Sequence, residues 1–237
     1  MEAYCGPAPV PSDLAWNWNP DAMALSLCAL LLGAGLWRDG KVGWPLAGAT
    51  VWLFVLFVSP LCALTTALFS ARATHHVLLV AVVCPLLALA FPARGAGPVA
   101  LLAGIHALVL WFWHIPSVYA AAIGPAWLYW TMQLSLIASG VLLWRAILAG
   151  PQLGPSLLAL GGTISQMGML GALLTFAPRP LYAAHLDTTA AFGLSALDDQ
   201  RLAGLIMWVP AALPYLVVGL ILVAKGLAPD RPRPTMA

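Results

Sequence analysis

Residues 126–149 read AWLYWTMQLSLIASGVLLWRAILA and carry a single formal charge, on Arg145. As a helix at 1.5 Å per residue, such a run is roughly 36 Å long, enough to cross a hydrocarbon core about 30 Å thick. It lacks the two-residue alternation of a membrane-barrel strand. In lipid, a lone segment satisfies its own backbone only as a helix. Comparable apolar runs recur at about 22–37, 44–64, 75–92, 98–120, 156–177 and 200–224. Composition points the same way. The 237 residues are 62% hydrophobic and 8% charged, with a mean hydropathy of +0.93, whereas soluble domains are about a quarter charged. The chain is expected to be an all-α integral membrane protein, a bundle of about seven transmembrane helices over residues 22–224. Tails at 1–21 and 225–237 flank it.

Cytoplasmic loops of membrane proteins collect Lys and Arg. With the N-terminus outside, the inner segments hold Arg38, Lys41, Arg94, Arg145, Lys225, Arg231 and Arg233, and the outer ones only Arg72, Arg179 and Arg201. Seven against three favours an extracytoplasmic N-terminus and a cytoplasmic C-terminus. The acids divide the other way, with Asp39 and Asp230 inside and the remaining six outside, so the outer face would attract cations. The net charge of +2 gives no reason to expect nucleic acid as a partner; the lipid bilayer is the expected surroundings. Residues 1–21 lack the basic start and apolar core of a signal peptide and read as a poorly ordered polar tail. Cys5, Cys28, Cys62 and Cys84 form no CxxC pair. The last three sit in apolar context and read as small packing residues.

Polar groups inside hydrocarbon are costly, so the few present carry the functional signal. His75 and His76, in ARATHHVLL, open the third span at its outer end; neighbours on a helix point about 100° apart, so one could be a ligand and the other its support. His106 and His114, in GIHALVLWFWHIPSVY, lie roughly 12 Å apart along the fourth span and do not share one ion as helix neighbours. Pro116 is expected to free the Phe112 carbonyl beside His114. The sixth span, LGGTISQMGMLGALLTFAP, has small residues suited to close helix approach, the amide of Gln166, and two thioethers, Met167 and Met169, which suit Cu(I).

GLSALDDQRLAGLIMWVP, residues 193–210, starts a hydrophobic helix with Asp198, Asp199, Gln200 and Arg201. Ser195 and Asp198 fit a capping box, and both acids sit at the positive end of the helix dipole. Gln200, Ala203, Gly204 and Met207 share a stripe, and Pro210 and Pro214 free the carbonyls of Ile206 and Pro210. The stretch reads as one wall of a cavity open to the outside, with His76, His114, Asp199 and Met207 at its depth. No nucleophile elbow, HExxH, Walker loop or CxxCH occurs, so hydrolytic, phosphate-transfer and covalent-haem chemistry have no motif.

SPLCAL, FSARATHHVLL, FWHIPSVYAAA, LGALLTFAPRPLY and GLSALDDQRLAGLIMWVPAALPYL resemble the CtaG family of multipass membrane proteins, over roughly residues 45–222. The last motif is the most specific. The family is implicated in cytochrome c oxidase assembly and is distinct from the single-anchor copper chaperone that shares its name. The resemblance implies site roles for His76, His114, Asp199, Gln200 and Met207. The family pattern has two histidines four residues apart before the third span and a second such pair after the fourth; Arg72, Tyr129 and Gln133 stand at three of those positions here. What is implied is a non-enzymatic assembly factor for a haem–copper oxidase in the bacterial inner membrane. Its partners would be oxidase subunits or other assembly factors, with copper as a candidate cargo through His76, His114 and Met207. The competing readings are a b-type haem protein, whose cofactor is not expected here because no two histidines have defined facing positions, and an ion or metal transporter.

Overall fold

The computed structural model describes residues 3–92, 97–149 and 153–227; the expected cytoplasmic tail beyond Leu227 lies outside them. The described residues form helices and no strands: α1 (Ala22–Asp39), α2 (Trp44–Phe57), α3 (Pro60–Ala67), α4 (Phe69–Leu78), α5 (Cys84–Ala90), α6 (Val99–Trp113), α7 (Pro116–Ala122), α8 (Ala126–Ala149), α9 (Leu153–Phe176), α10 (Ala196–Trp208) and α11 (Ala212–Leu227). Five units are long and apolar enough to span a membrane: α1, the continuous rod from α4 to α5, α8, α9, and α10 with α11. Two bent pairs bring the number to seven, α2 with α3 at 47° and α6 with α7 at 79°. The all-α membrane architecture read from the sequence is the one observed.

Each bend has a residue behind it. Pro60 cannot donate to the preceding turn, and the Ser59 hydroxyl caps the new helix by accepting from the Leu61 N–H at 3.2 Å. Pro116 plays the same part between α6 and α7. Within the rod Phe69–Ala90, residues Leu79–Val83 widen into a π turn just before Pro85. There the Cys84 N–H reaches back to the Leu79 carbonyl, and Pro85 has no N–H to offer, so Val80 O loses both helical donors. The Trp144 indole on α8 donates to it at 2.8 Å. The break thus fixes α8 against the rod.

That rod is the centre of the bundle, 56% buried, while α1 is peripheral at 17%. Helix α10 packs on α9 and α4. It approaches α9 closely because both meet at glycine: a Cβ on Gly204 would fall 2.8 Å from the Thr175 nitrogen, and one on Gly171 would fall 2.6 Å from the Gly204 carbonyl. The small-residue spacing in the sixth span is therefore the α9–α10 seam.

The N-terminal segment departs from the expected loose tail. A disulfide joins Cys5 to Cys62, so Cys62 is not the small packing residue read from sequence. The Tyr4 ring stacks on Tyr129 at 4.1 Å, and the Tyr4 N–H donates to the Ile123 carbonyl at 2.9 Å. The pairing spans 57 residues of sequence, a separation that spacing alone does not reveal.

A candidate metal centre between four helices

Helix α4 begins at Phe69, six residues before the sequence-based start of the span at His75. Its N-terminus has no cap of its own. Asp199, from the first turn of α10, supplies one: its carboxylate accepts from the Phe69 N–H at 2.6 Å, the Ser70 N–H at 3.2 Å and the Ser70 hydroxyl. Asp199 is fully buried, so two helix N-termini converge on one carboxylate. The added turns place His75 and His76 inside the bundle rather than at its rim, both buried.

His76 then meets His114, their ring centroids 5.9 Å apart. Before Pro116 the end of α6 tightens, and the His114 N–H bonds to Trp111 O instead of Leu110 O. The orphaned Leu110 carbonyl accepts from His114 Nδ1 at 2.7 Å. A carbonyl only accepts, so Nδ1 carries the proton and Nε2 keeps its lone pair. The freed carbonyl is thus Leu110, not Phe112, whose oxygen accepts from the Ile115 N–H at 3.2 Å. Likewise Ile206 O and Pro210 O, expected to be left open, accept from Ala211 and Leu213 at 3.2 Å each. Among the described residues, both ring nitrogens of His76 lack a hydrogen-bond partner, as do those of His75.

His76, His114, Met167 and Met207 line one small internal cavity, walled otherwise by Ala73, Val77, Val80, Leu110 and Leu136. Its free volume is about 10 Å³, room for about one water molecule or a bare ion. His76 on α4, His114 at the end of α6, Met167 on α9 and Met207 on α10 thus come together around one void. Among the described residues no three His, Cys, Asp or Glu side chains come together as a metal site, so any centre here depends on the sulfurs.

The other predicted residues sit elsewhere. Asp199 caps α4. Gln200 pins the α9–α10 loop, accepting from the Leu181 N–H at 2.6 Å and donating to Leu174 O at 3.2 Å. Neither lines the cavity, because both are committed to backbone. His75 turns away against Phe57, centroids 5.0 Å apart. His106 pairs with the Ser139 hydroxyl at 2.9 Å. Gln166 Oε1 accepts from the Trp111 indole at 2.9 Å, and Met169 is 56% exposed on the lipid-facing side.

The cavity is closed rather than open. The loop between α9 and α10 folds over its Asp199 end: Tyr182 stacks on Phe69 at 3.8 Å and donates to the His114 carbonyl at 2.8 Å. His185, unremarked in the sequence, lies 2.8 Å from the Tyr119 hydroxyl through Nε2. Arg72 is 1% exposed, 5.3 Å over the Tyr129 ring, with Nη1 donating to the Tyr129 hydroxyl at 3.4 Å. Apolar spacing gave no signal for either residue, since each is placed by a partner distant in sequence.

Burial, and then the Arg72 charge, push the His185 pKa down to about 4. An unfolded histidine titrates near 6.5, so the unfolded chain binds the extra proton between the two values. Stability is complete above about pH 6.5 and falls as pH drops toward 4. The part of the loss due to His185 between pH 7 and pH 5 is about 2 kcal/mol. Unfolding of the detergent-solubilised wild type and His185→Gln at the two pH values measures it: the variant should lose less stability on acidification by about that amount.

Residues 96–227 match the family model of the cytochrome c oxidase caa3 assembly factor, Caa3_CtaG. The chain belongs to that family. The match covers α6 to α11 and hence His114, Met167 and Met207; His76 lies ahead of it. No curated protein and no solved structure matches. A Caa3_CtaG protein is thus a membrane-embedded oxidase assembly factor, and its partners are oxidase-related.

Proposed function

We propose that this Caa3_CtaG protein holds copper for an assembling haem–copper oxidase at the outer side of the bacterial plasma membrane, and that it is not an enzyme. The observation carrying this reading is the convergence of His76, His114, Met167 and Met207 on one ion-sized void. Thioether and neutral imidazole donors suit Cu(I), and the partnerless His76 nitrogens fit a ligand role. The three family histidine positions filled by Arg72, Tyr129 and Gln133 leave these four side chains as the donor set. Two observations support the outer location. Basic residues are concentrated on the opposite side, and a disulfide such as Cys5–Cys62 is favoured in an oxidising compartment, which supports an outer position for that end of the bundle. A b-haem is not favoured, since a void of about 10 Å³ between the two rings does not admit a porphyrin.

The test is genetic. In a host lacking its own copy, the wild-type chain should restore oxidase activity and oxidase copper content. His76→Gln should restore neither while reaching the membrane at normal abundance. Full copper loading of the oxidase by this variant would refute the reading.

A further inference from the structure

Arg72 stands one helical turn before His76 on the same face of α4, separated from it by four residues. Its guanidinium is buried, and among the described residues no carboxylate lies within 4.0 Å of it. Asp199, the other buried charge nearby in the fold, is bonded at Phe69 and Ser70, further from His76 along α4 than Arg72 is. No Asp or Glu lines the cavity. A fixed positive charge, held against Tyr129, therefore stands one helical turn before His76 and is the nearer fixed charge along α4 to a cavity with no carboxylate in its lining.

We propose that Arg72 sets the charge of the ion this cavity accepts: a soft monovalent cation is held and a divalent one is rejected. The inference rests on the metal reading above. Coulomb repulsion scales with the charge of the incoming ion. Neutral ligands offer no anion to offset a second charge, and lipid-embedded surroundings screen it poorly. At an effective dielectric constant of about 20, a unit charge at a separation of about 10 Å would weaken a monovalent ion by up to roughly ten- to twenty-fold and a divalent ion by up to the square of that factor, values that the Asp199 carboxylate lowers. The thioethers favour soft ions by chemistry; Arg72 adds discrimination by charge, which separates Cu(I) from Cu(II) and Zn(II) even where ligand preference is weak. It also keeps the bound ion from being held too tightly to pass on.

The experiment compares Ag(I) and Cd(II), both soft and redox-inert, on the full chain in detergent by competition with chromophoric chelators. The wild type should bind Ag(I) at least 100-fold more tightly than Cd(II). Arg72→Gln should tighten Ag(I) roughly ten-fold and Cd(II) roughly 100-fold, so the preference narrows by roughly ten-fold. Arg72→Lys, which keeps the charge, should retain the wild-type preference. Arg72→Met keeps the aliphatic stem and serves as a second neutral variant if the amide folds poorly. Ag(I) binding with a preference unchanged in both neutral variants overturns the role of Arg72 and leaves the metal reading standing. A wild type that binds Cd(II) within ten-fold of Ag(I) overturns it with no variant at all. A wild type that binds neither Ag(I) nor Cu(I) removes the metal reading, and this inference with it.

Discussion

Asp199→Ala should destabilise the protein by about 3–5 kcal/mol. The substitution strands the Phe69 and Ser70 N–H groups and the Ser70 hydroxyl, all within the buried start of α4. A buried donor left without its acceptor costs about 1–3 kcal/mol, and bonds to a charged acceptor lie at the upper end. An acid serving only the dipole of its own helix would contribute at most about 1 kcal/mol at an exposed site. The neighbouring Asp198 is such an acid: it lies at the surface, bonded to the Ser195 hydroxyl at 2.6 Å and 3.6 Å from Arg201. Asp198→Ala should therefore cost about 1 kcal/mol or less. Chemical denaturation of both variants in one detergent measures the difference. Equal losses would show that the carboxylate of Asp199 does not hold α10 to α4.

The second large effect separates ligation from packing. Met167 and Met207 are both buried, and leucine conserves their volume, so Met167→Leu with Met207→Leu should cost less than about 1.5 kcal/mol per site. Removing a supporting group around a metal ligand already weakens binding about 10- to 100-fold, and loss of a ligand atom should do no less. The double variant is expected to melt near the wild-type temperature while its Cu(I) affinity falls by at least roughly 100-fold. A large stability loss with unchanged copper affinity would make the two thioethers core filler.

The spans were legible because length and apolar continuity are local properties. So was the Ser195 cap, which the structure retains with the Asp198 N–H donating to the hydroxyl at 3.1 Å. His76, His114 and Met207, identified from polarity within hydrocarbon and from the family resemblance, do share a cavity, joined by Met167. What escaped was set by contacts between distant segments. Asp199 looked like a cap for its own helix and serves α4, 130 residues away. Gln200 read as a site residue on the Met207 stripe and instead holds the loop between α9 and α10. Cys5 and Cys62 carried no spacing signal. Arg72 read as an outer-loop charge because the start of α4 was hidden until Asp199 supplied its cap.

X-ray absorption at the copper edge of the Cu(I)-loaded protein tests the central claim most directly. One Cu(I) per chain is expected, with nitrogen and sulfur both in its first coordination shell, and with the sulfur contribution lost in the Met167→Leu, Met207→Leu double variant. A protein that takes up no copper would contradict the account, as would a nitrogen- and oxygen-only shell or a sulfur signal that survives in the double variant.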